Sequence, residues 1–408
     1  MKYGLIGAKL GHSHSPAIHK ALGNPDYILK EIPESDIERF MTEKDFMGIN
    51  VTIPYKKTVT PYLDEISKEA LEIGSVNTVV NKSGKLYGYN TDIYGMKLAL
   101  KRIGVSLKDK KVLVLGSGGT SLTARALAKF EGASQVITVS RSGNVNYENV
   151  YEIKDAEVII NTTPVGMYPN NGKAALDISR FKKLKGVFDA VYNPIRTKLV
   201  SDAIACGIPA SGGLYMLVAQ AKRAAELFFD KEIEDTETDR VYKLIEDSVR
   251  NIILIGMPGC GKSVIGSKLA EKLGCEFIDM DKRIEENAGM PIPEIFGKYG
   301  EEVFRKYETD AAYELGMLSG KVIATGGGIV KLERNYLPLH QNGVIIRIKR
   351  DIDKLPKDGR PISMASDLKK LAEEREPLYR AFADFTVENT GTLREAVESI
   401  LKKLTEAR

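Results

Sequence analysis

One short segment limits the possible folds of this chain more than any other. Residues 251–263 read "NIILIGMPGCGKS", in which an apolar run ends in a glycine-rich turn and a helical pattern follows. Gly256, Gly261, Lys262 and Ser263 match the spacing G-x-x-x-x-G-K-S, in which a strand delivers the loop to a helix N-terminus. The segment therefore predicts an α/β unit whose loop amides hold the phosphates of a nucleoside triphosphate. We expect Lys262 to reach the β- and γ-phosphates and Ser263 to bind Mg²⁺.

A second glycine-rich turn, of a different kind, lies in the first half of the chain. The segment "VLVLGSGGTS" places Gly116, Gly118 and Gly119 after a strand and before the helical pattern "LTARALAKF". Such glycines let the backbone approach a pyrophosphate at a helix N-terminus. The next strand, "VITVSRS", offers Arg141 and no acidic residue, and a cation at this place suits a 2′-phosphate. The pattern favours NADP over NAD.

The composition narrows the class of protein. The chain has 408 residues, which suggests two or three domains, and its 43% apolar and 28% charged fractions are ordinary for a globular protein. A net charge of +4, from 59 basic and 55 acidic residues, argues against a nucleic-acid partner. Apolar runs stay shorter than the roughly 18 residues of a membrane span, so we expect no membrane contact. Cys206, Cys260 and Cys275 form no CxxC pair, which favours a reducing, cytoplasmic location. The sequence leaves a homo-oligomer open.

Upstream of the second turn, the strings "HSHSP", "NVTIPYK", "GSVNT" and "NTD" are rich in short hydrogen-bonding side chains. So many small polar groups suit a small polyhydroxylated ligand. Among them, Lys56 and Asp92 form the natural chemical pair. Reduction of a ketone by hydride needs a proton at the developing alkoxide, and a lysine ammonium can deliver it while stabilising the charge. A nearby carboxylate keeps that lysine oriented.

Together with "INTTPVGMYP", "FDAVYNP" and "GGLYMLVAQA", these strings make residues 1–230 resemble the shikimate dehydrogenases. The resemblance implies that Ser13 and Ser15 bind a substrate carboxylate and that Lys56 and Asp92 are the catalytic pair. The other implied substrate contacts are Asn50, Thr52, Asn77, Tyr192 and Gln220. The predicted NADP contacts are Gly116, Gly118, Gly119, Thr120, Ser121, Arg141 and Gly213.

Two other interpretations of this half stay open. It could be an NAD-linked quinate/shikimate oxidoreductase that runs toward oxidation, since only Arg141 is retained of the basic residues usual on the family's cofactor loop. It could also be a non-catalytic ligand sensor that regulates the other half. The intact pair of Lys56 and Asp92 argues against the sensor.

The phosphoryl acceptor must be bound by residues that follow the G-x-x-x-x-G-K-S loop. In "FIDMD", Asp279 and Asp281 stand two residues apart at a strand end, where one can support the metal and the other can accept a hydroxyl proton. Arg305 and Arg375 suit a carboxylate, because the guanidinium fork can bind it with two hydrogen bonds. Arg360 lies in the Gly/Pro-flanked "KDGRPIS", a pattern typical of a mobile lid that brings a cation to the transferring phosphate.

With "FGKYGEEVFRKYE" and "ATGGG", these strings make residues 249–408 resemble the shikimate kinases. The resemblance implies that shikimate is held by Asp281, Arg305, Gly327, Gly328 and Arg375. It implies that the metal is held by Ser263 and Asp279, with Lys262, Asp281 and Arg360 as the catalytic groups. The implied ATP contacts are Gly259, Cys260, Gly261, Lys262, Ser263, Val264 and Arg360. The family's arginine near the adenine has no clear counterpart, because the stretch before the lid is short.

The two resemblances imply one bifunctional enzyme that is α/β throughout, because short β-rich runs alternate with helical patterns. We expect a substrate-binding α/β domain from 1–90 and 206–230, and a Rossmann-type NADP domain from 91–205. A partly helical linker at 231–248 would lead to a P-loop kinase domain with a parallel sheet at 249–408. NADPH would reduce 3-dehydroshikimate to shikimate, and MgATP would then convert shikimate to shikimate 3-phosphate.

Overall fold

The computed structural model describes residues 1–11, 13–354 and 365–406. These residues divide into two compact units, Met1–Glu246 and Asp247–Arg408. Within the described ranges, no helix has both the length and the hydropathy that crossing a membrane would need.

The first unit begins with a six-stranded mixed sheet. Its strands are β1 (Tyr3–Gly7), β2 (Tyr27–Glu31), β3 (Gly48–Val51), β4 (Glu65–Ile66), β5 (Thr78–Lys82) and β6 (Lys85–Tyr89). They lie in the order β2-β1-β3-β5-β6-β4, and β5 is antiparallel to both of its neighbours. The helices of this part are α1 (Ser15–Ala21), α2 (Ile37–Glu43), α3 (Lys68–Ile73) and α4 (Asp92–Arg102). Ile6, Ile49, Val79 and Leu86 are fully buried and lie in one apolar core.

A second sheet of the first unit is parallel throughout. Its strands are β7 (Lys111–Leu115), β8 (Gln135–Val139), β9 (Val158–Asn161), β10 (Gly186–Asp189) and β11 (Ala210–Ser211), with helices α5 (Gly119–Phe130) and α6 (Lys198–Ala205). The order is β11-β10-β9-β7-β8. Along β7, Val112 and Val114 enter one apolar core and Leu113 and Leu115 enter another. Both faces of the sheet are thus covered, as parallel sheets require, and the expected Rossmann-type α/β class is confirmed.

Helix α7 (Leu214–Phe229) and the residues of α8 (Asp235–Val249) up to Glu246 complete the first unit. Helix α7 begins after the second sheet, and its Phe228 packs with Tyr3 and Tyr27 of the first sheet. The segment expected to be a partly helical linker is helical from Asp235 onward. Its Val241 and Ile245 are buried, since they recur at the spacing of one helix face.

The second unit is built on a parallel sheet whose centre carries the G-x-x-x-x-G-K-S loop. Its strands are β12 (Asn251–Ile255), β13 (Phe277–Asp279), β14 (Val322–Ala324), β15 (Gly343–Lys349) and β16 (Phe385–Glu388). Its helices are α9 (Lys262–Leu273), α10 (Met280–Ala288), α11 (Ile292–Gly316), α12 (Tyr336–Gln341), α13 (Ala365–Phe382) and α14 (Leu393–Glu406). In the order β13-β14-β12-β15-β16, the chain continues to one side of β12 and later to the other. At such a reversal of strand order, the carboxyl ends of parallel strands leave a crevice in which ligands bind.

Candidate active sites

The first unit contains a pocket of about 210 Å³, here called the first pocket. It gathers the predicted substrate contacts with two of the predicted cofactor contacts, Thr120 and Gly213. The predicted residues that line it are Ser13, Ser15, Asn50, Thr52, Lys56, Asn77, Asp92, Tyr192 and Gln220, along with Thr120 and Gly213. Residues of the first sheet, of α5, of the segment after β10 and of α7 therefore meet at one place.

Lys56 and Asp92 lie in contact at the edge of this pocket. The Lys56 Nζ donates to Asp92 Oδ2 at 2.5 Å, and both side chains are mostly buried, with 21% and 14% of their surface exposed. Asp92 is the first residue of α4, so its carboxylate stands at the positive end of that helix. The ammonium is thereby held in one orientation while still accessible to a bound molecule.

The polar side chains beside this pair fix one another. Asn50 Nδ2 donates to Thr78 Oγ1 at 2.9 Å, and Asn77 Oδ1 accepts from the backbone N–H of Thr91 at 2.7 Å. Thr91 Oγ1 donates to Gln220 Oε1 at 3.2 Å. Because Asn50, Asn77 and Thr91 are buried, each hydrogen bond replaces water that the side chain has lost. The network sets the amide orientations before any ligand binds.

Two serines and a tyrosine close another side of the first pocket. Ser13 Oγ donates to Ser15 Oγ at 3.1 Å and accepts from the Ser15 backbone N–H at 3.2 Å. The Tyr192 ring lies edge-on to the His14 ring at 6.1 Å between centroids, and burial raises the pKa of Tyr192. The hydroxyls therefore stay protonated near neutral pH and can donate to a carboxylate.

Beneath Asn50 lies a layer that the sequence analysis missed. Tyr27 Oη donates to Asn50 Oδ1 at 2.7 Å, and the His19 ring stacks on Tyr27 with 3.8 Å between centroids. His19 has no exposed surface, and burial lowers its pKa to about 3. No local pattern marks these contacts, because they join residues from α1, β2 and β3.

The predicted pyrophosphate turn follows β7. Gly116 has φ +106°, and a Cβ there would come within 2.9 Å of Thr162 Oγ1, so only glycine fits. A Cβ on Gly118 or Gly119 would meet no atom within 4 Å, so the backbone before α5 is open to a large ligand. Ser121 Oγ donates to the carbonyl of Gly118 at 2.7 Å and thereby holds the turn.

Two further predicted cofactor residues differ in their exposure: Arg141 is exposed and Gly213 is buried. Arg141 is exposed directly after β8, near enough to Tyr147 to lower the pKa of that phenol, although burial raises it overall. Gly213 caps α7 where a Cβ would come within 2.2 Å of the Ala190 carbonyl. The open turn, the helix N-terminus and the exposed guanidinium fit a dinucleotide with a 2′-phosphate.

The second unit contains a larger pocket of about 660 Å³, here called the second pocket. The predicted residues that line it are Gly259, Gly261, Lys262, Ser263, Val264, Asp279, Asp281, Arg305, Gly327, Gly328 and Arg375. Cys260, a predicted ATP contact, does not line this pocket: it has no exposed surface, its side chain lies in the apolar core, and its backbone N–H donates to the Met257 carbonyl at 3.2 Å. Arg360 lies outside the described residues.

The G-x-x-x-x-G-K-S loop leads from β12 into α9. Lys262 Nζ donates to the carbonyls of Gly256 at 2.9 Å and Met257 at 3.1 Å. Ser263 Oγ donates to Asp279 Oδ2 at 2.7 Å, which brings together two oxygen ligands of the kind that Mg²⁺ prefers. The loop and the end of β13 thus supply the groups for a metal-bound triphosphate.

Arg305 is held over the glycine turn that follows β14. Its Nη1 donates to Glu308 Oε2 at 2.8 Å and its Nη2 to Glu301 Oε1 at 2.9 Å. A Cβ on Gly328 would come within 2.2 Å of Arg305 Nη1, so the guanidinium can approach only because this residue is glycine. Glu308 was missed in the sequence analysis, although its place three residues after Arg305 on α11 is a recognisable signal.

Glu308 is almost fully buried beside Asp281 as well as Arg305. Burial raises the pKa of Glu308, and the Asp281 charge raises it further against the opposing effect of Arg305. A Cβ on Gly326 would come within 2.7 Å of Asp281 Oδ1 and 3.3 Å of Glu308 Oε1. The two carboxyl groups and the guanidinium therefore share one crowded, polar wall.

Arg375 reaches the same glycine turn from α13. Its Nη1 donates to the Gly327 carbonyl at 2.8 Å, and Tyr379 Oη donates to the same oxygen at 2.6 Å. Arg375 is 6% exposed, so its guanidinium has lost most of its water and would gain strongly from an anion. Arg305 and Arg375 thus both line the pocket that contains Asp281.

Two family models match the chain. A model described as shikimate dehydrogenase substrate binding domain matches residues 5–79, and a model described as shikimate kinase matches residues 258–405. The first lies within the part that contains the first pocket, and the second covers the phosphate loop and both arginines of the second pocket.

Relatives of known identity are similar to the first unit. Shikimate dehydrogenase (NADP(+)) of Clostridium perfringens strain 13 is 37% identical over 262 residues, which cover 59% of this chain and 97% of that protein. A solved chorismate mutase/shikimate 5-dehydrogenase fusion protein from Clostridium acetobutylicum is 35% identical with a TM-score of 0.57, covering 60% and 97% of the two chains. A shikimate 5-dehydrogenase from Thermus thermophilus, solved with NADP(H) and shikimate, is 29% identical with a TM-score of 0.53, covering 60% and 99%.

Proposed function

The chain belongs to the shikimate dehydrogenase family over its first three fifths and carries a shikimate kinase domain in the rest, and we propose that it performs both reactions in sequence. NADPH-dependent reduction of 3-dehydroshikimate gives shikimate in the first unit. MgATP-dependent phosphorylation of shikimate gives shikimate 3-phosphate in the second. The NADP(+)-dependent relatives favour this function over an NAD-linked oxidoreductase or a sensor.

In the dehydrogenase, NADPH supplies a hydride to the carbonyl carbon. Lys56 delivers a proton to the carbonyl oxygen as negative charge develops there, so that one new C–H bond and one new O–H bond replace the C=O π bond. Asp92 orients Lys56 through the 2.5 Å hydrogen bond. Ser13 and Ser15 bind the substrate carboxylate, while the Asn50 and Asn77 amides and Gln220 position the hydroxyls.

In the kinase, ATP supplies the phosphoryl group and Mg²⁺ offsets its charge. Asp281 accepts the proton of the 3-hydroxyl, and Arg305 and Arg375 hold the shikimate carboxylate. Lys262 stabilises charge on the phosphates, and Ser263 with Asp279 holds the metal. The predicted role of Arg360, as the cation on a lid, stays a proposal that rests on the family resemblance alone.

We assign the predicted domains accordingly. Residues 1–90 and 206–230 bind 3-dehydroshikimate, residues 91–205 bind NADP(H), and residues 249–408 form the kinase. Cys206, Cys260 and Cys275 are all free thiols, which supports the predicted cytoplasmic location.

The observation that carries this proposal is the presence of two constellations, Lys56 with Asp92 and Lys262 with Arg305 and Arg375, each in its own pocket. The purified chain should convert 3-dehydroshikimate, NADPH and MgATP into equal amounts of NADP⁺, ADP and shikimate 3-phosphate. Omitting ATP should leave shikimate as the product. Oxidation of NADPH without any ADP formation would contradict the kinase assignment. ADP formation from supplied shikimate, with no NADPH oxidation when 3-dehydroshikimate is supplied, would contradict the dehydrogenase assignment.

A further inference from the structure

A cluster of charged and polar groups lies behind the first pocket; its Lys222 and Glu226 side chains are buried, whereas its Asp235 side chain is 71% exposed. Lys222 is 3% exposed, and its Nζ donates to Asp235 Oδ1 at 2.7 Å and to the Tyr94 hydroxyl at 3.3 Å. Its Nζ also forms an ion pair with Glu226 Oε1 at 3.1 Å. These four residues, called the Lys222 cluster, join α4, α7 and α8.

The Lys222 cluster stands directly behind residues that face the substrate. Tyr94 is two residues beyond Asp92 on α4, and Lys222 is two residues beyond Gln220 on α7. Two residues rotate an α-helix by about 200°, so Tyr94 lies on the side of α4 opposite to Asp92, and Lys222 lies on the side of α7 opposite to Gln220. Any shift of one helix against the other moves Asp92 relative to Gln220.

Helices α4 and α7 pack closely beside the first pocket. A Cβ on Gly95 would come within 2.5 Å of the Met216 carbonyl and 3.1 Å of the Gln220 backbone nitrogen. Thr91, which caps α4, is hydrogen-bonded to the Gln220 side chain across the same contact. The helices therefore touch through their backbones where the substrate-facing residues lie.

A second tie joins the same three helices. The Arg102 guanidinium of α4 lies 4.6 Å from the ring centroid of Tyr215 on α7 and 4.4 Å from that of Tyr242 on α8. Arg102 Nε is also 3.6 Å from Asp239 Oδ1 on α8. Helix α8 thus holds the α4–α7 pair at two separate points.

The groups around Lys222 keep it charged. Burial lowers the pKa of Lys222, but hydrogen bonds to Asp235 and Glu226 outweigh this effect and raise the pKa overall. Asp235 is the first residue of α8, whereas Glu226 is itself buried on α7. Removing the ammonium would leave Glu226 with Arg223 and the Ile233 backbone N–H as partners, and would leave Asp235 held to α4 through the Tyr94 hydroxyl at 3.3 Å.

We propose that the Lys222 cluster is a positioning device, through which helix α8 holds Asp92 and Gln220 at the separation that binds 3-dehydroshikimate productively. Residues 235–242, expected to belong to a linker, are then a working part of the dehydrogenase. The inference rests on the proposed reductase activity. An unmodified chain that fails to reduce 3-dehydroshikimate would contradict that activity, whereas an active chain with insensitive variants would contradict only the positioning role.

The test uses the full chain with Lys222→Met, Asp235→Asn and Tyr94→Phe. For Lys222→Met we expect the KM for 3-dehydroshikimate to rise about tenfold and kcat to fall about fivefold, because small displacements of positioning groups have large effects. The KM for NADPH should stay within about twofold of the unmodified value, since the cofactor turn lies on other elements. Asp235→Asn and Tyr94→Phe should give smaller changes in the same direction.

Lys185→Met is the matched control, because it removes an exposed lysine that pairs with Glu157 at 2.8 Å on the surface of the same unit. It should leave all kinetic constants unchanged. If Lys222→Met does not fold, the KM for 3-dehydroshikimate of Asp235→Asn and of Tyr94→Phe tests the proposal instead. Variants that melt at lower temperature but retain the normal KM for 3-dehydroshikimate would overturn the proposal, as would an equal rise in KM for both substrates.

Discussion

The two pockets, which we propose bind the same ring acid, differ in their chemistry. Among the described residues that line the first pocket, the charged side chains are the paired Lys56 and Asp92. Seven charged side chains line the second pocket within the part of the chain that the structure describes: Lys262, Asp279, Asp281, Arg305, Glu308, Arg350 and Arg375. In the first, short hydroxyl and amide groups fix one another; in the second, guanidinium groups are held by carboxylates and backbone carbonyls.

The difference follows from the charge that each reaction handles. Hydride reduction creates one alkoxide, which a single oriented ammonium can neutralise by giving up a proton. Phosphoryl transfer moves a highly charged group, so the surrounding cations must remain fixed throughout the reaction. The Arg305–Glu308 pair and the Arg375 contact to Gly327 provide that rigidity before the substrate enters.

The largest expected effect comes from removing the phosphate-binding cation. Lys262→Met should lower the kinase rate by about 10³-fold, because a preorganised charge at the transition state is lost. The same preparation should reduce 3-dehydroshikimate at the normal rate, which serves as its internal control. Coupled assays of ADP and of NADPH measure both. A kinase loss below about tenfold would mean that Lys262 does not contact the transferring phosphate.

The reciprocal change tests the other half of the comparison. Lys56→Met should lower dehydrogenase turnover by about 10²-fold or more, the effect of losing a general acid, and leave phosphorylation of supplied shikimate unchanged. Asp92→Asn should have a smaller effect, since the lysine would keep its charge but lose its orienting carboxylate. Equal losses in both assays would indicate misfolding instead of a catalytic role.

A matched pair of binding variants sharpens the contrast between charged and neutral recognition. Arg375→Lys should raise the kinase KM for shikimate about 30-fold, because a lysine cannot make the two parallel hydrogen bonds of a guanidinium. Ser15→Ala should raise the dehydrogenase KM for 3-dehydroshikimate about tenfold, the effect of one hydrogen bond to a charged group. Titration with salt should raise the kinase KM more than the dehydrogenase KM in the unmodified chain. The reverse order would contradict the proposed carboxylate contacts.

Sequence reasoning worked best where function depends on local backbone. Gly256, Gly261, Lys262 and Ser263 are neighbours in the chain, so their spacing alone predicts one loop between a strand and a helix. The pairing of Lys56 with Asp92 is long-range and was predicted from the chemistry that the two residues share. Whether these residues act as proposed stays a prediction for the experiments above.

Other features could not be predicted because their cause is tertiary. The stack of His19 under Tyr27 joins segments that carry no common pattern. Residues 231–248 were expected to form a partly helical linker because charged residues dominate this sequence, and within it Val241 and Ile245 of α8 are buried. The hydrogen bond between its Asp235 and Lys222 could not be predicted, because the position of Lys222 depends on how three helices pack.

The smallest expected effect concerns the acid sensitivity of the first unit, where His19 stacks on Tyr27 beneath Asn50 of the first pocket. Burial lowers the pKa of His19 from its ordinary value of 6.5 to about 3. Between pH 6.5 and pH 3, His19 is therefore protonated in the unfolded chain and neutral in the folded chain. Stability of the first unit should therefore fall as pH drops through 6.5 toward 3, with a loss of about 1.4 kcal/mol between pH 7.5 and pH 5.5 from this residue alone. His19→Phe keeps a ring to stack on Tyr27 and cannot titrate, so its stability should change less between pH 7.5 and 5.5. Urea midpoints for loss of dehydrogenase activity at both pH values measure the difference, and an equal acid sensitivity in the two proteins would show that His19 is protonated without unfolding.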